Sequence, residues 1–192
     1  IEKTEEKKNT HFSCAMIVLN DVNNDSRVKK CAKALQKAHC NVTIFGLSSD
    51  KEQRDVKRIE IQGIPILLFP NPRFTILSSA VRIYTWKYVT QGLLAAMYKY
   101  INKVKPEMIH THDFHSLIIG KELSLRLKKH GHDVKWIHDF HEYVNGLDGL
   151  DEEIKELSLL EEKESISHAD YLTTVSPTLS DALKKDYNLE KK

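Results

Sequence analysis

The chain is predicted to be an α/β protein with a parallel sheet flanked by helices, and three observations support this. Short apolar runs rich in β-branched residues alternate with stretches of helical periodicity along most of the chain. The first run, Phe12 to Leu19, is continuously apolar, as expected of a buried strand rather than one facing solvent. A length of 192 residues suits one domain with a sizeable core and is short for two.

Taken in order, IEKTEEKKNT opens the chain as a charged, aperiodic leader, so residues 1–11 are set apart from a domain over 12–192. The Phe12–Leu19 strand runs into a polar loop, Asn20 to Asp25, and Ser26 is expected to cap a helix whose inner face is Val28, Cys31, Ala32 and Leu35. Strands follow at Val42–Leu47, Arg58–Gln62 and Ile64–Phe69. A long helical pattern spans about Leu77 to Val104, with an interruption expected near Gly92. The alternation then becomes regular: strand Met108–Thr111, helix Ser116–Lys129, strand Val134–Phe140, helix Glu152–Ser167, strand Tyr171–Val175. A last helix covers Pro177–Tyr187, with Ser176 as cap and Pro177 in its first turn.

Several chemistries are excluded by what the strand ends lack. No glycine precedes Gly46, so the Gly-rich cradle of a dinucleotide fold is missing after the first strand, and no P-loop pattern occurs. The net charge of +2 does not point to nucleic acid. Cys14, Cys31 and Cys40 form no CxxC pair and are read as buried thiols of a reducing, cytoplasmic compartment. His110, His112 and His115 cluster in one segment, His138 and His141 in another, without HExxH. No metal ligand set is therefore expected; these histidines are read as strand-end hydrogen-bonding groups, one or two of them functional near neutral pH.

In open parallel sheets ligands sit beyond the carboxyl ends of the strands, which singles out the loops Asn20–Arg27, His112–His115 and Asp139–Gly149. Asp139-Phe140-His141-Glu142 is the densest of these, with three ionisable groups in four positions closing an apolar strand. Burying them would be costly, so a crevice is expected there, the alternative being polar residues that merely cap the next loop. The Glu153/Glu161 and Glu156/Glu164 pairs are read as a solvated helix face, with Ile154, Leu157 and Leu160 on the buried side. Between Ile61 and Pro106 there is no acidic residue. Arg73, Arg82, Lys87, Lys99, Lys103 and Lys105 interleave there with aromatic residues, and Leu77, Val81, Tyr84 and Tyr88 share one stripe. That face suits either a core helix edged by lysines or peripheral contact with an anionic membrane.

Four segments together resemble the N-terminal domain of family 4 glycosyltransferases: NDVNNDSRVKKCAKALQKAHCNVTIFGL from Asn20, KPEMIHTHD from Lys105, WIHDFHEY from Trp136 and ADYLTTVSPTLSDAL from Ala169. The resemblance implies a Rossmann-like domain, one half of a GT-B fold, facing a C-terminal domain that binds the nucleotide sugar. The reaction it implies needs no metal and no separate cofactor. His141 matches the histidine that approaches the transferred sugar, with Asp139 or Glu142 as its orienting neighbour. Asn20, Asp21, Ser26, Arg27, His112 and Asp113 are expected to line the substrate site for a glycan or lipid-linked acceptor. Two departures stand out. Members commonly carry a glycine at the end of the first helix, where this chain has His39, and glycines in the first loop, which is glycine-free here. The Glu153/Glu161 pair is not the family's donor-side glutamate motif, which belongs to the other domain. The isolated chain is accordingly expected to be inactive. Same-fold alternatives are an epimerase or phosphorylase, and a stand-alone α/β ligand-binding or signalling module without catalysis.

Overall fold

A computed structural model describes residues 12–71, 79–146 and 152–189. The expected leader (1–11) and Gly149 lie outside the described residues, as does the first part of the basic stretch. Of the aromatic stripe, Leu77 lies outside as well, and the side chains of Val81, Tyr84 and Tyr88 are not described.

Seven strands form one sheet in the order β3-β4-β2-β1-β5-β6-β7. They are β1 Ser13–Val18, β2 Asn41–Leu47, β3 Lys57–Ile61, β4 Ile64–Phe69, β5 Met108–His112, β6 Lys135–Phe140 and β7 Tyr171–Thr174. All neighbours are parallel except β3, which returns antiparallel against β4 through a turn with positive φ at Gln62 and Gly63. The helices are α1 Ser26–Lys37, α2 Ser79–Val104, α3 Leu117–Lys129, α4 Glu152–Ile166 and α5 Pro177–Tyr187. The α/β fold expected from the sequence is the one observed. The chain builds outward from β1 in one direction through β2 and β4, then restarts at β5 and builds in the other. The strand order therefore reverses between β1 and β5, where such sheets open a crevice.

Strand alternation divides the core into two layers. Ala15, Ile17, Ile109, Trp136 and Phe140 pack with Leu94, Met97 and Ile101 of α2 and with Leu123 and Leu127 of α3. Cys14, Met16, Val18, Ile44 and Met108 face the other way, onto Val28 and Ala32 of α1. Gly120 lets α3 settle on β6: a Cβ there would stand 2.5 Å from the Trp136 indole nitrogen.

Four local expectations are corrected. The cap of α1 is Asp25, not Ser26: its carboxylate accepts from the amides of Arg27 and Val28, both at 3.1 Å, and Ser26 is already helical. No break occurs at Gly92, which is exposed and open-sided within a continuous α2, so only its weak helix propensity opposes the helix there. Strand β5 extends one residue further, to His112. On α4 the buried side is Glu162, Ser165 and Ile166, whereas Leu157 and Leu160 are 42% and 65% exposed; Ile154's side chain is not described. Lys121 on α3 holds Glu161 at 3.3 Å and Glu164 at 3.0 Å, ion pairs that tie this side of α4 to α3. At the end of α1, His39 takes the left-handed conformation (φ 60°) that glycine usually supplies, and Cys40 N–H reaches back to Leu35 C=O at 3.0 Å.

Candidate functional site

The site is assembled by strand register. Parallel pairing places His112 beside Asp139 and Asp139 beside Thr173, so three polar side chains form a row across β5, β6 and β7 on the α1 side of the sheet. Asp139 is the hub. Its Oδ2 accepts from His112 Nδ1 at 3.2 Å and from His141 Nε2 at 2.7 Å, and its Oδ1 accepts from the Thr173 hydroxyl at 2.7 Å. Burial alone would raise the Asp139 pKa, but the hydrogen bonds from His112, His141 and Thr173 outweigh it. They hold the carboxyl far below the usual carboxylate range.

His141 lies just past the end of β6, with its side chain 1% exposed. Its Nδ1 stands 2.6 Å from Asp113 Oδ1, and its Nε2 is on Asp139. Asp113, then Asp139, raises the imidazole pKa to about 9 against the opposing effect of burial. At neutral pH this is an imidazolium clamped between two carboxylates. Asp113 reaches it from the turn after β5, with φ 65° and ψ 153°, a region that side-chain-bearing residues rarely occupy.

The first loop closes the crevice from the β1 side. Asn20 donates to Asp25 Oδ2 at 2.9 Å, which ties the loop to the start of α1. Asp21 caps a short turn through the amide of Asn23 at 3.0 Å and receives the side-chain amides of Asn23 and Asn24, so its carboxylate is committed to loop architecture. Arg27 is 54% exposed and stands 3.9 Å from both Asp25 and Asp113, a cation on the crevice rim. Ser26 is exposed on the first turn of α1.

Of the residues expected in the site, the structure thus joins His141, Asp139, Asp113 and His112, with Arg27 on the rim. Glu142 is exposed and not hydrogen-bonded to this group. Thr173 and Asp25 were not foreseen. Thr173 sits in the ADYLTTVS segment, but only the β6–β7 register reveals its partner. The remaining histidines divide by face. His138 is fully buried on the opposite side, 2.8 Å from the Thr111 hydroxyl; burial, then nearby His112, pushes its pKa down to about 3, as befits a neutral core group. His110 lies against His112, with ring centres 4.3 Å apart and planes tilted by 34°, and burial likewise lowers its pKa to about 3.

Two groupings of described residues bring one donor atom from each of three metal-binding side chains within 4.8 Å of one another: His112–Asp139–His141 and Cys31–His110–His112. The first is already satisfied internally, because both nitrogens of His141 face carboxylates and the ring is a cation. Two surface cavities, of about 540 and 520 Å³, lie away from the crevice, one beside Leu160 and Tyr187 and the other beneath α2 at Leu93 and Tyr100.

The family model for Glycosyltransferase Family 4 matches residues 26–192. No curated protein matches the chain significantly. Among solved structures, sucrose-phosphate synthase from Thermosynechococcus elongatus is similar at 19% identity and a TM-score of 0.67, over 91% of this chain and 45% of that one. A shorter piece of the same synthase matches at 20% identity and a TM-score of 0.62, over 90% and 81%. A trehalose-6-phosphate structure from E. coli bound with UDP-2-fluoro glucose matches at 14% identity and a TM-score of 0.57, over 93% and 43%. The chain therefore spans under half the length of the longer structures it resembles. It belongs to glycosyltransferase family 4, and its fold is that of the N-terminal, Rossmann-like domain of a GT-B enzyme.

Proposed function

We propose that this domain forms the acceptor side of a glycosyltransferase whose nucleotide-sugar donor is held by a C-terminal domain across the crevice. The observation that carries this reading is the Asp113–His141–Asp139 clamp at the carboxyl end of the sheet. Asp113 and Asp139 keep side chains 25% and 21% exposed, so their carboxylates can accept from sugar hydroxyls. His141 supplies a fixed positive charge that holds these two carboxylates in position, so it orients hydroxyl groups of donor or acceptor through Asp113 and Asp139. Arg27 on the rim suits an anionic group such as a sugar phosphate. Support for a nucleotide-sugar donor comes from the E. coli relative bound with UDP-2-fluoro glucose.

The reaction in this reading uses the nucleotide sugar as substrate, with no separate cofactor and no catalytic metal. The acceptor is a glycan or a lipid-linked sugar. For a lipid-linked acceptor the protein works in the cytoplasm, peripheral to an anionic membrane. Lys99, Lys103 and Lys105 are exposed near the end of α2 and would contribute on the order of 1 kcal/mol each at such a surface. Tyr98 and Tyr100, by contrast, pack against the core, so the charge and not the aromatic side chains of this part would meet lipid. No described helix is long and apolar enough to cross a membrane. Sedimentation with anionic against neutral liposomes, at low and high salt, tests this attachment; equal recovery in all four supernatants rules it out.

Nucleotide release from a panel of nucleotide sugars tests the main reading. The protein joined to its donor-side domain should turn over at least one of them, and His141→Ala should lower that turnover by about two to three orders of magnitude while leaving it folded. The 192-residue chain by itself should release none. Unimpaired turnover per folded molecule in His141→Ala would remove the clamp from the mechanism.

A further inference from the structure

Behind the clamp, on the same side of the sheet, three side chains are arranged in a way the proposed sugar chemistry does not use. Cys31 projects from α1 toward β5, and its Sγ lies 3.8 Å from His110 Nδ1. His110 and His112, alternate residues of β5, point to the same face, with ring centres 4.3 Å apart and planes tilted by 34°. They are 7% and 1% exposed, and His110 Nε2 and His112 Nε2 are buried without a hydrogen-bond partner. An unpaired imidazole nitrogen such as His112 Nε2 is costly at this depth, and a ligand shared with the Cys31 thiol and His110 Nδ1, the nitrogen beside that thiol, would satisfy it. Asp139 accepts from His112 Nδ1 and so leaves the His112 lone pair on Nε2. A histidine oriented by a carboxylate at one nitrogen and open at the other is the usual form of a metal-binding imidazole.

We propose that Cys31, His110 and His112 bind a borderline-soft divalent cation, Zn²⁺, between α1 and β5. One sulfur and two imidazole nitrogens are its preferred donors. The spacing agrees: Zn–S of about 2.3 Å and Zn–N of about 2.1 Å at a tetrahedral angle put sulfur and nitrogen about 3.6 Å apart, close to the 3.8 Å between Cys31 Sγ and His110 Nδ1, the nitrogen through which His110 would bind. One donor atom from each residue already lies within 4.8 Å of the other two, so binding needs only small rotations. The Cys31 thiol gives up its proton on binding and coordinates as thiolate. A water completes the fourth position, since Cys31 is only half-buried.

The site departs from the metal-free expectation without entering the sugar chemistry. The cation sits behind His112 and touches the clamp only through the His112–Asp139 hydrogen bond. Its role is to fix the ring of His112, and through it Asp139, and to pin α1 to the sheet at the strand-order reversal. The proposal stands independently of whether the chain transfers sugar.

Cobalt titration of the chelator-treated chain tests it. Co²⁺ should bind with one-to-one stoichiometry and give a near-ultraviolet thiolate charge-transfer band, which Zn²⁺ then bleaches by displacement. Cys31→Ser should abolish the band, and His110→Gln should weaken Co²⁺ binding by roughly tenfold or more. In the unmodified chain, Zn²⁺ should slow alkylation of Cys31 by roughly tenfold or more, a readout that needs no variant to fold. Cys14 and Cys40 are buried and should react slowly with or without Zn²⁺. Absence of both the band and the protection overturns the site. A band that persists in folded Cys31→Ser overturns it too, by assigning the sulfur elsewhere.

Discussion

Asp113 meets His141 at 2.6 Å from a backbone conformation, φ 65° and ψ 153°, that glycine alone adopts at no cost. Strain of this kind costs about 1–3 kcal/mol and persists where the surroundings enforce it. Here the enforcing bonds are visible: Asp113 N–H donates to Asp139 C=O at 3.3 Å, and the Ser116 hydroxyl donates to the carbonyls of His112 and Asp113 at 2.5 and 2.9 Å. The strain aims the carboxylate into the crevice. Asp113→Asn removes the charge and keeps the strain, whereas Asp113→Gly removes both. Urea unfolding should therefore find the glycine variant more stable than the asparagine variant by about 1–3 kcal/mol. Transfer activity in the assembled enzyme should be impaired in both. Equal stabilities would mean that the turn stores no strain.

The clamp also fixes the charge of His141, and the sign of its pH dependence follows. Its folded pKa, about 9, lies above the ordinary histidine value, so the native state holds a proton that the unfolded chain has lost between those two pH values. This contribution to stability is complete below about pH 6.5 and disappears as pH rises through 9. NMR titration of the His141 ring should show the imidazolium intact at pH 7.5. In Asp113→Asn the midpoint should move down toward the ordinary value, because Asp113 is the larger of the two carboxylate influences. An unchanged midpoint in that variant would break the assigned contact.

The alternation of elements was legible in the sequence, because each strand is short and apolar and each helix carries its own start or stop signal. The Asp-x-His pattern at the end of β6 was legible too, since ionisable groups closing an apolar strand are costly anywhere but at a crevice. Thr173 was hidden because its hydrogen bond to Asp139 depends on which residues of β6 and β7 are in register, and local pattern does not contain this. Asp25 lost to Ser26 in the reading because both are capable caps in adjacent positions. What distinguishes them is bonding: the Asp25 carboxylate accepts from the amides of Arg27 and Val28, while Ser26 is already in the first turn. Leu157 and Leu160 misled because apolar spacing marks a face without saying which way it turns, and the side of α4 that is turned inward carries Glu162, Ser165 and Ile166.

Glu162 on α4 is 1% exposed, and its Oε2 has no hydrogen-bond partner. Burial, with a smaller push from Asp186, raises its pKa to about 7, against the hydrogen bond from Tyr187. The native state therefore keeps a proton that the unfolded chain releases near pH 4.3, so stability falls as pH rises from there to about 7 and is flat beyond. Glu162→Gln keeps the shape and an acceptor for Tyr187 while removing the charge. It should raise stability at pH 8 by on the order of 1–3 kcal/mol and leave it unchanged at pH 4. Chemical denaturation at the two pH values checks this, and an equal effect at both would refute the buried charge.

His39 offers a test of backbone energetics far from the crevice. It is the residue just past α1, exposed, with φ 60°, and the reverse bond from Cys40 N–H to Leu35 C=O forces that conformation. Side-chain-bearing residues pay roughly 1–2 kcal/mol there because Cβ crowds the carbonyl oxygen, and glycine pays none. Part of that gain is returned, since glycine also loosens the unfolded chain. His39→Gly should thus stabilise the fold by about 1 kcal/mol, equivalent to roughly 2–4 °C in Tm for a domain of this size. His39→Ala serves as the control, because it deletes the imidazole but keeps the Cβ. If alanine stabilises as much as glycine, the imidazole itself is unfavourable and the left-handed backbone carries no penalty. If glycine alone stabilises, the end of α1 is held in place by its capping bonds against the preference of the residue that occupies it.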